Sequence, residues 1–263
     1  MTARLVLVGG GNMGAALLGG LLAAGWAEPR ELAVVEVSGA RRQVLADDFP
    51  GVVVAESVPA CTAAVIAVKP HDVPAAVAEV VAAGATRVLS VAAGVSIATL
   101  ERAAGPGVAV VRSMPNTPAL VRQGAAAVAP GSVAGEADLV WAEEVLGAVG
   151  IVVRVAEHQL DAVTGLAGSG PAYLFLVAEA LIEAGVLAGL ARPVAEALTS
   201  QLLVGSAALL AQQGDPGHLR AMVTSPGGTT AAGLRALEQH GVRAAFLDAV
   251  MAATDRSRAL GAG

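Results

Sequence analysis

The chain has 263 residues, a length that suits two modest domains or one large one. Hydrophobic residues make up 55% of it but aromatic residues only 2%, so its core must be built from Ala, Val and Leu. The formal net charge of −6 provides no basic surface, which argues against nucleic-acid binding. The single cysteine, Cys61, cannot form an internal disulfide, so nothing indicates secretion. We expect it to be a small, buried, apolar residue.

The N-terminal segment combines an apolar run with a glycine-rich turn. Residues 4–8 read as a buried strand, and the glycines that follow have the spacing of the dinucleotide-binding fingerprint, ahead of a helix predicted over residues 15–24. The predicted cofactor-binding positions of this turn are Gly9, Gly11, Asn12, Met13 and Gly14. Because the stretch is so rich in glycine, we interpret it as strand, turn and helix rather than as a signal peptide or a membrane span. We therefore predict a soluble, cytoplasmic protein without membrane contact.

A second strand is predicted over residues 32–37. Glu36 lies near its end, about 20 residues after the glycine turn, where an acidic residue binds the ribose hydroxyls of NAD. Ser38, Arg41 and Arg42 follow at once, and they could accept the 2′-phosphate of NADP. The arginines could equally be solvated residues of a first helical turn. The residues alone leave the choice between the two cofactors open.

The rest of the first half alternates short apolar runs with helical segments. Further strands are predicted at residues 52–55, 63–68, 87–91, 108–113, 124–129 and 150–155, with a helix over residues 135–146. This alternation predicts an α/β fold with a doubly wound, mostly parallel, Rossmann-like sheet. Lys69, the only lysine, precedes Pro70 at the end of one strand, and Ala92-Ala93-Gly94 follows another. Both places lie at the carboxyl ends of strands, and ligands of such sheets bind at that edge.

The second half has a different pattern. Long helical segments are predicted at residues 161–170, 171–185, 193–213, 217–224, 230–239 and 242–260. We therefore predict a dinucleotide-binding domain over residues 1–156 and a helical substrate-binding and dimerisation domain over residues 157–263. Several helices are apolar around much of their circumference, and a small helical domain cannot bury that surface alone. We infer a homodimer, with a further assembly of dimers left open. A well-packed monomeric bundle is the alternative.

The segment from Met222 to Thr230 is a polar break between two helical segments. Pro226 ends the preceding helix and Gly227-Gly228 lets the backbone bend closely. Thr229 or Thr230 is then expected to N-cap a helix that extends to residue 239. A helix start with free amides and nearby hydroxyls suits a small anion such as a carboxylate. An ordinary corner between helices would have the same residues.

The sequence contains few other motifs that indicate a particular chemistry. The sequence has no cluster of metal-ligand type, so we predict no metal site, and it has neither a Gly-x-Ser-x-Gly motif nor a P-loop lysine. What is left is a dinucleotide domain together with hydroxyl-rich and glycine-rich loops. This combination fits hydride transfer, in which the cofactor performs the chemistry and the protein orients it.

Several stretches together resemble the pyrroline-5-carboxylate reductase family, from the first strand to about residue 260. The matching stretches are Val8 to Gly14, Ala67 to Pro70, Ala92 to Gly94, Arg112 to Pro118, Asp161 to Tyr173 and Ser225 to Thr230. The resemblance implies an NAD(P)H-dependent oxidoreductase that reduces the cyclic imine 1-pyrroline-5-carboxylate to L-proline, the last step of proline biosynthesis. NADP is slightly favoured over NAD by the resemblance, although Glu36 departs from the Ser or Thr common at its position.

The resemblance also implies roles for individual residues. Cofactor-binding residues beyond the glycine turn and Glu36 would be Ala67, Val68, Lys69, Pro70, Ala92, Ala93 and Gly94. Substrate-binding residues would be Glu157, Ser225, Gly227, Gly228, Thr229 and Thr230. Glu157 would lie by the ring nitrogen, and the turn at Ser225 would hold the carboxylate. Thr230 is the candidate donor of the proton to the imine nitrogen.

Two alternatives belong to different classes of protein. A β-hydroxyacid-dehydrogenase-like enzyme shares the two-domain layout, but that family has a catalytic lysine in its helical domain, and no lysine follows Lys69 here. A non-catalytic NAD(P)-binding sensor would bind the cofactor without consuming it. Oxidation of NAD(P)H in the presence of the imine separates the sensor from the enzyme.

Overall fold

The computed structural model describes residues 2–261, and an eight-stranded sheet dominates it. The strands are β1 (Leu5–Val8), β2 (Leu32–Val35), β3 (Val53–Ala55), β4 (Ala63–Ile66), β5 (Arg87–Ser90), β6 (Ala109–Met114), β7 (Gly124–Pro130) and β8 (Gly150–Arg154). Their order is β3-β2-β1-β4-β5-β6-β7-β8. All neighbouring pairs are parallel except β6 and β7, which are antiparallel. The predicted fold class is confirmed.

Helices connect the strands and make up the second half of the chain. They are α1 (Asn12–Ala23), α2 (Gly39–Asp48), α3 (Val73–Ala82), α4 (Ile97–Ala104), α5 (Glu136–Gly147), α6 (Leu160–Val163), α7 (Gly170–Leu187), α8 (Arg192–Gln213), α9 (Pro216–Met222), α10 (Thr229–Gln239) and α11 (Val242–Gly261). Parallel neighbours need such crossovers, because a short hairpin cannot return the chain to the same end of the sheet.

The sheet is buried on both faces, which explains why its strands read as continuous apolar runs. All four residues of β1, β2 and β4 are buried. Alternate residues of each strand enter two separate hydrophobic clusters, so that Leu5 and Leu7 pack in one, and Val6 and Val8 in the other. Cys61 is 1% exposed within the second of these clusters, as expected.

The start of α10 differs from the sequence expectation. Gly228, not Thr229 or Thr230, occupies the N-cap position, and no side chain caps the helix. The amide of Gly228 donates to the carbonyl of Ser225 at 3.1 Å, which closes the turn one residue before the helix. The helix therefore begins at Thr229, and both threonines lie in its first turn, where backbone amides have no acceptor within the helix.

The chain forms two compact units. The first contains residues up to Ser169 and those from Met251 onward; the second is Gly170–Val250. In the second unit, α7 and α8 pack closely, since a Cβ built at Gly185 would lie 3.1 Å from the Cβ of Ala195. Among the residues of this unit, only Ala195 and Thr199 are buried.

Candidate functional site

The glycine turn after β1 is packed so tightly that two of its positions accept no side chain. Gly9 has a φ of +108°, and a Cβ there would lie 2.5 Å from the carbonyl oxygen of Ala67. A Cβ on Gly14 would lie 1.9 Å from the carbonyl oxygen of Gly9. These contacts seat the start of α1 directly on the ends of β1 and β4, as the fingerprint predicts.

Gly11 serves a different purpose in the same turn. A Cβ built there meets no protein atom within 4 Å, so glycine is not required by internal packing. Gly11 is the N-cap of α1, and the following amides of Asn12 and Met13 belong to the first helical turn. The N-terminus of a helix attracts phosphate groups. The turn therefore combines free donors with open space, and it fits a dinucleotide pyrophosphate.

A cleft of about 590 Å³ opens in front of this turn, within the first unit. It lies where β1, β2, β4 and β5 end, because parallel strands present their carboxyl ends at one edge. Its lining residues are Gly9, Gly11, Asn12, Met13, Glu36, Ala67, Val68, Lys69, Pro70, Asp72, Val91, Ala92 and Ala93. Most of the predicted cofactor-binding residues thus share one cleft. Gly14 lies beneath the turn, and Gly94 lines a neighbouring hollow.

Glu36 is fixed at the end of β2 by two backbone donors. The amide of Gly10 donates to its Oε2 at 3.1 Å, and the amide of Ser38 donates to its Oε1 at 2.9 Å. The side chain is partly buried and lines the cleft. Its carboxylate therefore has a defined position beside the glycine turn, where a ribose would lie.

The neighbouring hollow, of about 320 Å³, is also formed by residues of the first unit. It is lined by Gly94, Ser96, Arg112, Glu157, His158, Asp161, Arg258 and Gly261. Oε1 of Glu157 accepts hydrogen bonds from the amide of Ile97 at 2.7 Å and from Nη1 of Arg112 at 3.0 Å. The Glu157 side chain keeps 37% exposure, so the carboxylate is held in place while remaining open to the hollow.

Arg112 is a site residue that the sequence analysis did not identify individually. It belongs to β6, whose residues Ala109 to Ser113 are all buried, and its own side chain is 10% exposed. A buried guanidinium needs a partner, since an unpaired charge in the interior is costly. An arginine within the mostly apolar strand β6 was the sequence signal for this residue. Its partner Glu157 lies 45 residues away, so the pairing could not be read from the sequence.

The predicted carboxylate-binding residues form a turn in the second unit. Gly227 has a φ of +72°, and a Cβ on Gly228 would lie 2.4 Å from Oγ of Ser225. The turn therefore requires glycine at position 227, and a side chain at position 228 would displace the Ser225 hydroxyl. Thr230 is partly buried while Ser225 and Thr229 are exposed. The turn presents three hydroxyls around a helix start, which is an arrangement suited to a carboxylate.

Two further features of the described residues concern metal-ligand clusters and helices long enough to cross a membrane. Within residues 2–261, no group of three or more His, Cys, Asp or Glu side chains could hold a metal ion. Two helical stretches, Glu157–Leu187 and Arg192–Gln213, are long and apolar enough to cross a membrane by length and composition. Both stretches lie in the segment whose apolar surface we expected to be covered by a second copy.

Comparison with known proteins gives consistent results over the whole chain. Residues 157–260 match the family model for pyrroline-5-carboxylate reductase dimerisation, and residues 4–94 match that for coenzyme F420-dependent NADP oxidoreductases. A pyrroline-5-carboxylate reductase of Corynebacterium melassecola is 41% identical, covering 98% of each chain. A solved pyrroline-5-carboxylate reductase from Coxiella burnetii has a TM-score of 0.91 at 34% identity and covers 99% of each chain. The Plasmodium falciparum enzyme, solved with NADP bound, has a TM-score of 0.84 at 29% identity and 98% coverage of each chain.

Proposed function

Since this chain belongs to the pyrroline-5-carboxylate reductase family, we propose that it reduces 1-pyrroline-5-carboxylate to L-proline with NADPH or NADH, in the last step of proline biosynthesis. The observation that carries the proposal is the cleft at the carboxyl edge of the sheet. Its glycine turn, first helical turn and strand ends offer donors and open space for a dinucleotide. The 41% identity extends over both units of the chain.

The cofactor would be held by the predicted residues of the cleft. Amides at the start of α1 would bind the pyrophosphate, and Ala67, Val68, Lys69 and Pro70 would line the nucleotide. Ala92, Ala93 and Gly94 would lie by the nicotinamide. A bound NADPH or NADH supplies the hydride that reduces the imine carbon.

The substrate carboxylate would be bound by the turn at the start of α10. Gly227 and Gly228 shape the backbone there, while Ser225 and Thr229 add hydroxyl donors to the helix amides. Glu157, held by two donors, would lie by the ring nitrogen, where its negative charge favours a protonated imine. A protonated imine is already electrophilic, so orientation supplies much of the acceleration.

Thr230 is the proposed donor of the proton that the ring nitrogen takes up before the hydride arrives, and its hydroxyl regains a proton from solvent. Its hydroxyl belongs to the first turn of α10, close to the backbone amides that would hold the carboxylate. Its partial burial limits the number of orientations that the side chain adopts. The proposal assigns to Thr230 a direct role in turnover and none in cofactor binding.

The domain organisation and the assembly are part of the proposal. We place the dinucleotide-binding domain at residues 1–156 and the helical domain at residues 157–263, and the start of the matching dimerisation model at residue 157 supports this boundary. Two copies would pair through the helical domain. Pairing would cover both apolar stretches, so the working form would be a cytoplasmic homodimer, with an assembly of dimers open.

The direct test is the oxidation of NADH and NADPH, followed by absorbance, on addition of 1-pyrroline-5-carboxylate to the purified protein. We expect cofactor oxidation that depends on the imine, with proline as the product. A hydroxyacid substrate that drives NAD(P)+ reduction would indicate a dehydrogenase of the β-hydroxyacid type. Cofactor binding without any turnover would indicate a sensor and would contradict the proposal.

A further inference from the structure

We propose that this enzyme prefers NADH to NADPH, and that Glu36 is the residue that determines the preference. The inference rests on the proposed function, because it concerns the cofactor of the same site. The two cofactors differ by one phosphate on the adenosine ribose, which carries a charge of about −1.5 to −2. The charges around the ribose position therefore decide between them.

The carboxylate of Glu36 occupies that position in a fixed orientation. Each carboxylate oxygen accepts a hydrogen bond from a backbone amide, one from Gly10 at 3.1 Å and one from Ser38 at 2.9 Å. These two bonds prevent the side chain from turning away from the cleft. A carboxylate in this place accepts hydrogen bonds from the two ribose hydroxyls of NADH, and it repels a 2′-phosphate.

Each of the two neighbouring arginines donates hydrogen bonds to the protein itself. Nε of Arg41 donates to the carbonyl of Gly10 at 2.7 Å. Nη1 of Arg42 donates to the carbonyls of Glu36 and Val37 at 2.8 and 2.9 Å, and its Nη2 forms an ion pair with Glu56 at 3.0 Å. Arg42 thus serves to hold the loop after β2. Its charge is already matched by a carboxylate.

A hollow next to Glu36 carries further negative charge. A hollow of about 360 Å³ adjoins the cleft and shares Gly9, Glu36, Val68 and Asp72 with it. Four carboxylates line this hollow, and no basic residue does; they are Glu36, Glu56, Asp72 and Glu79. A 2′-phosphate next to Glu36 would enter this acidic region, whereas two neutral hydroxyls would not be repelled.

The test is a binding titration with the cofactor alone, so that its result is independent of the imine reaction. NADH and NADPH are titrated into the purified protein and Kd is measured from the fluorescence of the reduced nicotinamide. We expect NADH to bind at least about 10-fold more tightly, since like-charge contacts are strongly unfavourable. Equal affinities, tighter NADPH binding, or no binding of either cofactor would overturn the proposal.

Two substitutions at Glu36 separate its charge from its place in the structure. Glu36→Ser and Glu36→Gln both remove the negative charge, and we expect each to improve NADPH binding relative to NADH by about 10-fold. Glu144→Gln removes a carboxylate at the opposite edge of the sheet and should leave the ratio of the two Kd values unchanged. If the Glu36 variants weaken both cofactors equally, the residue only supports the loop, and the proposal fails.

Arg41→Ala provides a second, independent measurement. If Arg41 were the receptor for a 2′-phosphate, its loss would weaken NADPH selectively. We expect instead an effect on both cofactors that is equal within about 3-fold, because Arg41 is bound to the backbone of the glycine turn. A selective loss of NADPH binding would contradict the inference. Should the imine prove not to be the substrate, the cofactor preference can still be measured in the same titrations.

Discussion

At the scale of single residues, the glycines and carboxylates of the candidate sites are placed for different reasons. Gly9 and Gly14 are required because a side chain would collide with backbone atoms of the protein. Gly11 is different, since the space beside it is open. Glu36 and Glu157 are charges held in place by backbone amides rather than by packing alone. These differences allow stability and ligand binding to be tested separately.

Substitutions in the glycine turn can separate an effect on cofactor binding from an effect on stability. Gly11→Ala should leave the thermal midpoint within a few degrees of the original, because the new methyl group meets no protein atom. It should weaken NADH binding by about 10-fold or more, since the methyl group fills the approach of the pyrophosphate. Thermal unfolding and cofactor titration of the same sample measure both effects.

Gly14→Ala is the matched comparison. Its Cβ would lie 1.9 Å from the carbonyl oxygen of Gly9, so the turn must shift. Overpacking of this kind costs about 1–3 kcal/mol, and we expect a lower thermal midpoint together with weaker cofactor binding. If Gly11→Ala destabilised the protein as much as Gly14→Ala, the assignment of separate roles would be wrong.

Thr230 can be tested by removing its hydroxyl. Thr230→Ala should lower kcat by roughly 100-fold, the lower end of what a positioned proton donor contributes, and leave the Kd of the cofactor unchanged. Thr86→Ala, which removes a hydroxyl that donates to the carbonyl of Thr62, is the control. An unchanged kcat for Thr230→Ala would remove this residue from the proposed mechanism.

At the scale of elements, β8 is joined to α5 by an arginine. Arg154 donates from Nη1 to Glu136 and from Nη2 to Glu143, each at 2.8 Å. The hydrogen bond from Arg154 lowers the pKa of both carboxyl groups below their ordinary value of 4.5, and the same bonds raise the pKa of the guanidinium. The carboxyl groups therefore bind protons less tightly in the folded protein than in the unfolded chain.

This linkage predicts how stability depends on pH. A group with a lowered pKa contributes stability above its unfolded value, here about 4.5, and loses it as the pH falls through the folded value. Arg154→Met should lower the thermal midpoint only modestly at neutral pH, because the groups are exposed, and the difference from the unsubstituted protein should shrink as the pH falls below 4.5. The control is Arg102→Met on α4. A difference that is independent of pH would contradict this account.

The position of Glu157 shows how separate elements place a candidate site residue. Arg112 is buried in β6, and the amide of Ile97 begins α4, so that two distant elements fix one carboxylate. The sequence identified β6 as a strand by its apolar pattern and Glu157 by a family resemblance. It could not predict their pairing, because the register of separate elements depends on how the sheet and helices pack.

At the scale of the whole molecule, the second unit lacks a core of its own. Seventeen large apolar residues of Gly170–Val250 are exposed in the single chain, against two buried residues. On α8, Val194, Leu198, Leu202 and Leu209 recur at helical spacing with exposures from 38% to 58%. An apolar surface of this extent marks an association site, which agrees with the match to a dimerisation family.

The predicted dimer can be disrupted at this stripe. Leu198→Glu combined with Leu202→Glu would place charges in a buried interface, and we expect the protein to lose its dimeric state at micromolar concentration. Light scattering after size-exclusion chromatography measures the mass. Val44→Glu, at an exposed position of α2 in the other unit, is the matched control. A dimer that survives the double substitution would place the interface elsewhere.

The sequence by itself determined the periodic elements, the glycine turn and the family. Local spacing encodes the elements and the glycine turn, because strands, helices and tight turns depend on residues close together in the chain, whereas the family follows from the resemblance of several stretches taken together. Only the tertiary structure decided that Gly228 occupies the N-cap position of α10, that Arg112 holds Glu157, and that two backbone amides fix Glu36 beside the glycine turn. Those contacts join residues through turn closure and sheet register, and such contacts exist only once the chain has folded.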